Sequence, residues 1–275
     1  MRTLAQTDGD RRRTALITGA SSGIGEAFAE VFAARGFDLV LTARRHDRLQ
    51  AVAERARRRH GAAVQLIAAD LSDHGSPASI CDEVNARGLS VDALVNNAGY
   101  GVPGKYASVP WRDQEALMQV MVVGLAQLTH RLVPGMVERR YGRIINVASL
   151  AGLVPAPGGH TLYAASKAFV IRFSEALSNE VRPSGVHVTA LCPGFTRSEF
   201  HDRTGTRALV SGLPSWMWMD AATVAAQGYD AVMAGQPVYI PGRVNRAIAG
   251  FVKYLPGAVI GGVGRKVARL YRKAE

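Results

Sequence analysis

Short apolar segments alternate with longer segments of helical periodicity along most of this chain, and this alternation constrains the fold more than any other feature. The apolar segments are continuous and do not alternate with polar residues, which is typical of strands that helices cover on both faces of a sheet. Regular alternation of strand and helix predicts a parallel, doubly wound sheet with right-handed crossovers. We therefore expect one α/β domain with a sheet of about seven strands.

The predicted domain covers residues 14–242. Strands are predicted at Thr14–Thr18, Asp38–Ala43, Ala63–Ala69, Asp92–Ala98, Arg143–Ser149, Val186–Cys192 and Pro237–Ile240. Helices are predicted at Ile24–Arg35, in the segment ending near Arg59, and at Ser76–Arg87, Trp111–Glu138, Leu162–Arg182 and Ala221–Met233. Residues 1–13 carry charges but no apolar stretch, so we expect a disordered N-terminal arm and not a signal peptide. Residues 243–275 form a basic C-terminal extension.

The first predicted strand runs into a glycine-rich segment, TGASSGIG, which leads into the first helix. Its glycines permit a tight turn and a close approach of the backbone to a pyrophosphate, while the helix N-terminus adds free N–H groups. The spacing is not the commonest G-x-G-x-x-G fingerprint, so the strand–turn–helix context carries the interpretation, and a purely structural turn is the alternative. This context predicts a Rossmann-type dinucleotide site. Its predicted contacts are Gly19, Ser21, Ser22, Gly23, Ile24 and Gly25.

The end of the second predicted strand indicates which dinucleotide is bound. Enzymes that use NAD place an acid there, which bonds the ribose 2′-hydroxyl. This chain has Ala43, Arg44 and Arg45, and an arginine can pair with a 2′-phosphate. We therefore expect NADP(H) with Arg44 at the phosphate, although two solvated arginines at a helix start are the alternative. Around the adenosine we expect Asp70, Asn96, Ala98 and Gly99.

Six short motifs occur in the same order as the predicted strands. They are TGASSGIG, Asp70-Leu71, NNAG at Asn96–Gly99, Ser149, YAASK at Tyr163–Lys167 and Pro193-Gly194. Together they resemble the short-chain dehydrogenase/reductase family, from about Thr14 to Gly242. The resemblance implies an enzyme that uses NADP(H) to interconvert an alcohol and a carbonyl. It adds Leu71, Asn97, Pro193, Gly194 and Thr196 to the expected cofactor contacts.

A tyrosine and a lysine four residues apart on a predicted helix share one face. A phenol with a pKa near 10 is a poor base at neutral pH, and a neighbouring ammonium lowers that pKa. Tyr163 is therefore predicted to exchange a proton with the substrate oxygen, and Lys167 to hold the nicotinamide ribose. Ser149, at the end of the fifth strand, is predicted to hydrogen-bond the substrate oxygen.

Two positions depart from the family pattern. The family usually carries an asparagine on the helix after NNAG, where this chain has Met121, and that asparagine completes a water-mediated proton path to the lysine. Methionine has no group that can do so. Ser149 and Tyr163 are also one residue further apart than is usual, and we expect the loop around Pro157–His160 to absorb the difference. We expect His160 at the rim of the site and not as a catalytic base.

The segment Thr196–Asp220 follows the sixth predicted strand, at the edge where open α/β sheets bind ligands. It contains Phe200, Leu209, Val210, Leu213, Trp216, Met217, Trp218 and Met219. These residues predict an apolar lid over a lipophilic ketone such as a 3-oxoacyl thioester or a steroid. Helix packing or a contact between subunits is the other interpretation.

Charge and cysteine usage exclude several other classes. The net charge of +11 is concentrated in residues 243–275, so it is little reason to expect a nucleic-acid-binding domain. The segment near the C-terminus places Val263, Val267 and Leu270 on one face, which fits either an interfacial helix at an anionic membrane or a solvated helix. Cys81 and Cys192 make no disulfide or zinc pattern, and we expect no metal and a cytoplasmic protein. The longest apolar runs are too short for a transmembrane helix.

Two further classes stay open at this stage. A sensor or scaffold that binds the cofactor without efficient catalysis is favoured only by Met121, and the intact Ser149, Tyr163 and Lys167 set argues against it. A nucleic-acid-binding module is supported only by the charge of the C-terminal extension. The expected partner is a small lipophilic carbonyl or alcohol, and the family resemblance implies a homodimer or homotetramer formed through the two long helices.

Overall fold

A computed structural model describes residues 11–156, 158–200, 204 and 207–254. Within these residues, seven strands form one parallel sheet in the order β3-β2-β1-β4-β5-β6-β9. These strands are β1 (Thr14–Thr18), β2 (Asp38–Ala43), β3 (Val64–Ala68), β4 (Val91–Asn96), β5 (Gly142–Val147), β6 (Val186–Leu191) and β9 (Val238–Tyr239). Two short strands, β7 (Thr196–Arg197) and β8 (Met219–Asp220), pair separately. The predicted Rossmann-type sheet is thus confirmed.

The helices lie on both faces of the sheet. They are α1 (Gly23–Ala34), α2 (His46–His60), α3 (Ser76–Ala86), α4 (Trp111–Met118), α5 (Gly124–Glu138), α6 (Thr161–Val181), α7 (Arg207–Val210), α8 (Ala221–Met233) and α9 (Arg243–Tyr254). The continuous apolar strands supply both cores, because their alternate side chains point to opposite faces. Phe28 and Phe32 of α1 pack on one face, and Leu117 and Leu128 of the long central helix pack on the other.

The order of strands reverses between β1 and β4, because β2 and β3 lie on one side of β1 while β4, β5 and β6 lie on the other. In open α/β sheets such a switch point leaves a crevice at the carboxyl ends of the strands, and ligands bind there. The glycine-rich turn follows β1 and the NNAG motif follows β4. Both motifs therefore meet at this crevice.

The long predicted helix Trp111–Glu138 is interrupted by a π-helical turn at Gln119–Val123. This helix is long and apolar enough to cross a membrane by length and composition alone. The core helix of a globular fold passes the same test. Here Met121 and Leu128 of this helix are buried in the core beneath the sheet, and 39% of its most apolar 18-residue window is buried.

Both ends of the described chain contact the domain. Arg11, which the sequence placed in a disordered arm, pairs with the buried Asp92 at 3.0 Å. Arg12 donates hydrogen bonds to the carbonyls of Gly36 and Gly61. The remainder of the predicted arm, residues 1–10, and the amphipathic segment containing Val263, Val267 and Leu270 lie outside the described residues.

Candidate active site

A cavity of about 980 Å³ lies at the carboxyl ends of the strands, over the switch point between β1 and β4. With the exceptions of Gly25 and Asn96, every residue predicted for the cofactor and catalytic site lines it. These residues are Gly19, Ser21, Ser22, Gly23, Ile24, Arg44, Asp70, Leu71, Asn97, Ala98, Gly99, Ser149, Tyr163, Lys167, Pro193, Gly194 and Thr196. Residues from seven separate segments of the sequence therefore meet in one cavity.

The glycine-rich turn is packed against the loop that follows β4. Gly19 has a φ of 65°, and a Cβ there would lie 2.9 Å from Nδ2 of Asn97. That Nδ2 donates hydrogen bonds to the carbonyls of Thr18 and Gly19, so it holds the turn from beneath. A Cβ on Gly25 would lie 2.4 Å from the Gly19 carbonyl oxygen. Gly25 is thus required for packing under the turn, which is why it does not reach the cavity.

Residues 22–25 begin α1 at the cavity wall, and the side chain of Ser22 does not cap the helix. The first N–H groups of the helix are therefore available to an anion, and the positive end of the helix dipole favours one. A glycine turn without Cβ atoms and an uncapped helix start fit the pyrophosphate of a dinucleotide. Gly19, Ser21, Gly23 and Ile24 are the residues that would hold this group.

Two arginines follow β2 and have different surroundings. Arg44 is exposed and lies 3.6 Å from the Asp70 carboxylate. Burial raises the pKa of Asp70, but the hydrogen bonds from Ser72 and the charge of Arg44 outweigh burial, and this pKa lies below its usual value. Arg45 reaches back to the glycine-rich turn, where it donates to Oγ of Ser21 at 3.2 Å and of Ser22 at 3.1 Å. Sequence reasoning selected Arg44 and missed Arg45.

Tyr163 and Lys167 lie one turn apart on α6, and both line the cavity. Lys167 is almost fully buried, and its Nζ donates a hydrogen bond to the Val147 carbonyl at 2.7 Å. Nζ lies 5.7 Å from the centre of the Tyr163 ring. Burial lowers the pKa of Lys167 to about 8, because the low-dielectric interior disfavours the ammonium. At neutral pH this lysine is still mostly a cation beside the phenol.

Ser149 is held by the turn that follows β5. Its Oγ accepts a hydrogen bond from the N–H of Ala151 at 3.1 Å, which caps the 3-10 turn Leu150–Gly152. A Cβ on Gly152 would lie 2.7 Å from the main-chain carbon of Lys167, so the turn sits directly on α6. This close approach fixes Ser149 relative to the helix that carries Tyr163.

The arrangement of these residues agrees with the comparison to known proteins. The family model for short chain dehydrogenase matches residues 13–208. The chain belongs to the short-chain dehydrogenase/reductase family. It is 40% identical over 186 residues to a sulfoacetaldehyde reductase of Chromohalobacter salexigens, covering 67% of this chain and 72% of the relative. It is 35% identical over 191 residues to a very-long-chain 3-oxoacyl-CoA reductase of Anas platyrhynchos, covering 67% of this chain and 60% of the relative.

Solved structures show the same relationship. A short-chain dehydrogenase from Sphingobium yanoikuyae, in complex with NADPH, superposes with a TM-score of 0.77 at 33% sequence identity. The match covers 89% of this chain and 96% of that chain. The fold and the oxidoreductase family are therefore shared over most of the molecule.

Two residues of the present chain that the sequence analysis singled out, Asn96 and Met121, lie beneath the cavity instead of lining it. Asn96 was expected beside the adenosine, but it is buried and donates to Oγ1 of Thr129 and Oδ1 of Asn146. That expectation was wrong because Asn96 is the last residue of β4 and points into the core, whereas Asn97 faces the turn. Met121 is also buried, and its side chain lies against Gly99. It thus fills space under the NNAG loop.

His160 lines the cavity next to Tyr163. The two rings meet edge to face with their centres 6.0 Å apart. Burial lowers the pKa of His160, because the interior disfavours the charged imidazolium. The expectation that His160 lies at the rim and is not a catalytic base stays a prediction. Of the loop that we expected to absorb the longer spacing between Ser149 and Tyr163, residue 157 lies outside the described residues.

The predicted lid contributes only part of its apolar residues to the cavity. Phe200 and Met217 line it, and the Phe200 ring lies 5.8 Å from the Tyr163 ring. Trp216 is exposed, and Val210 is buried elsewhere. The side chain of Leu209 lies outside the described residues.

Helix α9 supplies a wall of the cavity that the sequence did not reveal. Asn245, Ile248 and Val252 line it, although all three belong to the segment predicted as a basic extension. A Cβ on Gly194 would lie 2.4 Å from Oδ1 of Asn245, so α9 packs directly on the Pro193-Gly194 turn. The available signal was the helical spacing of the apolar Ile248 and Val252, which the surrounding basic residues obscured.

Proposed function

We propose that this chain is an NADP(H)-dependent oxidoreductase that reduces a lipophilic ketone, with Tyr163 as the acid and base. One observation carries the proposal. A single cavity contains a dinucleotide cradle at one end and Ser149, Tyr163 and Lys167 at the other. Membership of the short-chain dehydrogenase family makes an exchange between alcohol and carbonyl the expected reaction.

In the reducing direction, Tyr163 would donate its phenolic proton to the oxygen of the bound ketone. Ser149 would hydrogen-bond the same oxygen and stabilise the negative charge that develops there. The Lys167 ammonium, fixed by the Val147 carbonyl, would favour the phenolate that remains. NADPH, when bound, supplies the hydride. The protein's part is to orient the ketone, to exclude water and to deliver this proton.

Support for NADP(H) over NAD(H) comes from the charges beyond β2. Ala43 stands where an acid would bond a ribose hydroxyl, and Arg44 and Arg45 both line the cavity. A phosphate dianion would gain charge-assisted hydrogen bonds from either guanidinium. The structural relative that was solved in complex with NADPH is consistent with this preference.

Support for a lipophilic substrate comes from the walls beyond Tyr163. Val154, Phe200, Met217, Ile248 and Val252 line this end of the cavity. Among the described lining residues, the only cation outside the cofactor end is Lys167, which is committed to the catalytic centre. A sulfonate such as that of sulfoacetaldehyde would therefore lack a basic partner. A long-chain or ring-bearing ketone fits these walls better.

A panel of ketones tests this proposal, assayed with NADPH and with NADH in parallel. We expect kcat/KM to rise with the size of the acyl or ring group and to be higher with NADPH. Tyr163→Phe should keep cofactor affinity and lose turnover by about 10²- to 10⁴-fold, the usual contribution of a general acid. Unchanged turnover in this variant, or a preference for small polar carbonyls, would contradict the proposal.

A cofactor-binding sensor with weak catalysis is the second candidate. The apolar Met121, at a position that usually supplies a proton path, favours it. If the protein binds NADPH tightly but no ketone of the panel oxidises it, the sensor would be favoured.

We also propose a homodimer or homotetramer that works in the cytosol. Val123 and Phe169 are exposed apolar residues on the two long helices. Cys81 and Cys192 are free, buried thiols, as expected for a reducing compartment. Burial raises their pKa values to about 11 and about 12.

A further inference from the structure

Glu199 reaches from the segment after β7 into the cofactor end of the cavity, where it lies among basic residues. Its carboxylate pairs with Arg45 at 3.2 Å and with Arg48, two arginines at the start of α2. The glutamate is about one-third exposed, and it lines the same cavity as the glycine-rich turn. Hydrogen bonds from Arg48 and then Arg45 outweigh the effect of burial and hold the pKa of Glu199 below its usual value. Glu199 is therefore an anion at neutral pH.

Arg45 connects this carboxylate to the phosphate cradle. The same guanidinium that binds Glu199 donates to Oγ of Ser21 and Oγ of Ser22. The segment carrying Glu199 is also packed on the turn, because a Cβ on Gly23 would lie 3.0 Å from Cβ of Ser198. The carboxylate thus occupies an anion position beside the place where the sequence predicts a ribose 2′-phosphate.

We propose that Glu199 is a specificity-determining residue that competes with the 2′-phosphate of NADP(H) for Arg45. The proposal rests on the NADP(H) preference of the proposed function. A 2′-phosphate near Arg45 must displace the carboxylate or accept its repulsion, whereas a nucleotide with a free 2′-hydroxyl leaves the ion pair intact. Glu199 therefore weakens the binding of cofactors that carry a 2′-phosphate. It narrows the difference in affinity between NADP(H) and NAD(H).

The two arginines that follow β2 then have separate roles. Arg44 pairs with Asp70 only at 3.6 Å and is largely exposed, so a phosphate can recruit it without breaking a close ion pair. Arg45 is held on both sides, by the serines and by Glu199. Its recruitment by a phosphate is the step that Glu199 opposes.

Calorimetric titration with 2′,5′-ADP and with 5′-AMP tests the proposal, because these probes differ only in the 2′-phosphate. Glu199→Gln keeps the shape of the side chain and removes its charge. We expect this variant to bind 2′,5′-ADP about three- to tenfold more tightly than the wild type does, because the repulsion between the partly exposed carboxylate and the 2′-phosphate is removed. Its affinity for 5′-AMP should change little. The gain should shrink at high salt, since screening weakens the repulsion in the wild type.

Asp220→Asn is the matched control. This change breaks the exposed ion pair between Arg197 and Asp220. Arg197 lies two residues before Glu199 on the same segment, and neither partner of the pair lines the cavity. This control should bind both nucleotides as the wild type does. A tighter binding of 2′,5′-ADP by the control as well would assign the effect to general loosening of the segment and would overturn the role of Glu199.

The remaining outcomes separate the two proposals. If the wild type prefers 2′,5′-ADP and Glu199→Gln shows the same preference, only the role of Glu199 is overturned. If Glu199→Gln binds 2′,5′-ADP and 5′-AMP more tightly by the same factor, the role of Glu199 is overturned too. If neither the wild type nor the variant distinguishes the nucleotides, the NADP(H) preference of the proposed function is overturned together with it.

Discussion

Nζ of Lys167 donates a hydrogen bond to the main-chain oxygen of Val147 at 2.7 Å, from a side chain that is almost fully buried. This bond ties α6 to the carboxyl end of β5, between the strand that leads to Ser149 and the helix that carries Tyr163. The position holds the ammonium 5.7 Å from the centre of the Tyr163 ring, but burial removes water from that charge. Burial lowers the pKa of Lys167 to about 8.

The lowered pKa predicts a pH dependence of stability. Below pH 8 both the folded and the unfolded chain hold this proton. Between pH 8 and the unfolded pKa of about 10.4, only the unfolded chain holds it, so the free energy of unfolding rises with pH by up to about 3 kcal/mol. Urea unfolding of the wild type and of Lys167→Met at pH 7.5 and 10 measures this pH dependence. The quantity to compare is the difference in the free energy of unfolding between the two proteins, because the contributions of most other titrating groups cancel in it. A difference that does not change with pH would contradict the buried-ammonium assignment.

Thr18 predicts a second effect on stability. Its Oγ1 accepts from the N–H groups of Asn97 at 2.9 Å and Ala98 at 3.0 Å, and it is buried. Thr18→Val keeps the shape but leaves two N–H groups without this acceptor, so we expect a loss of about 2–4 kcal/mol in chemical denaturation. Thr42→Val is the control in the adjacent strand. Oγ1 of Thr42 is buried without a hydrogen-bond partner among the described residues, so this change should be neutral or stabilising. Equal losses in the two variants would contradict the role of the Thr18 bonds.

The fold was predictable because it depends on patterns that repeat along the chain. All seven strands of the main sheet and the glycine-rich turn follow from continuous apolar runs and local spacing, and the observed bounds of the strands differ from the predicted ones by two residues or fewer. Pairings between distant segments were not predictable. The contact of Arg45 with Glu199 joins residues 154 positions apart, and nothing in either local sequence specifies it.

The same limit explains the errors at the site. Asn96 and Asn97 are adjacent and identical in chemistry, and only the pleat of β4 decides which one faces the turn. Helix α9 was assigned to an extension because its net charge dominates its sequence. The inner face of α9 is defined by a long-range contact, the packing of Asn245 on Gly194, which the local sequence does not specify.

Met121 leads to a third prediction, on proton transfer. Its buried side chain packs against Gly99, so Met121→Asn should lower the melting temperature by replacing an apolar contact with an amide. If proton resupply to Tyr163 limits the reaction, the variant should also turn over faster and show a smaller solvent deuterium isotope effect. Met121→Leu, which restores only the packing, should leave that isotope effect unchanged. An unchanged isotope effect in the asparagine variant would mean that another water path suffices.

The exposed face of α6 provides a fourth prediction, on assembly. Phe169 is 39% exposed, and its ring stacks on Phe173 with centres 5.7 Å apart. Phe169→Glu should reduce the assembly measured by sedimentation velocity, because a charge would be buried between subunits. Glu180→Arg, at an exposed position about three turns further along the same helix, is the control. An assembly that survives the glutamate at 169 would place the subunit contact on another face.

Two positions on α9 allow the last prediction to separate substrate binding from the stability of the helix. Ile248 lines the cavity, whereas Val244, one turn earlier on the same helix, is exposed and does not line it. Ile248→Gln should raise KM for a bulky ketone several-fold by placing an amide against an apolar ligand, and should change KM for a small ketone much less. Val244→Gln makes the same chemical change outside the cavity and should leave both values near those of the wild type. If both variants raise KM for both ketones equally, α9 supports the fold but does not contact the substrate, and the lipophilic wall of the site lies elsewhere.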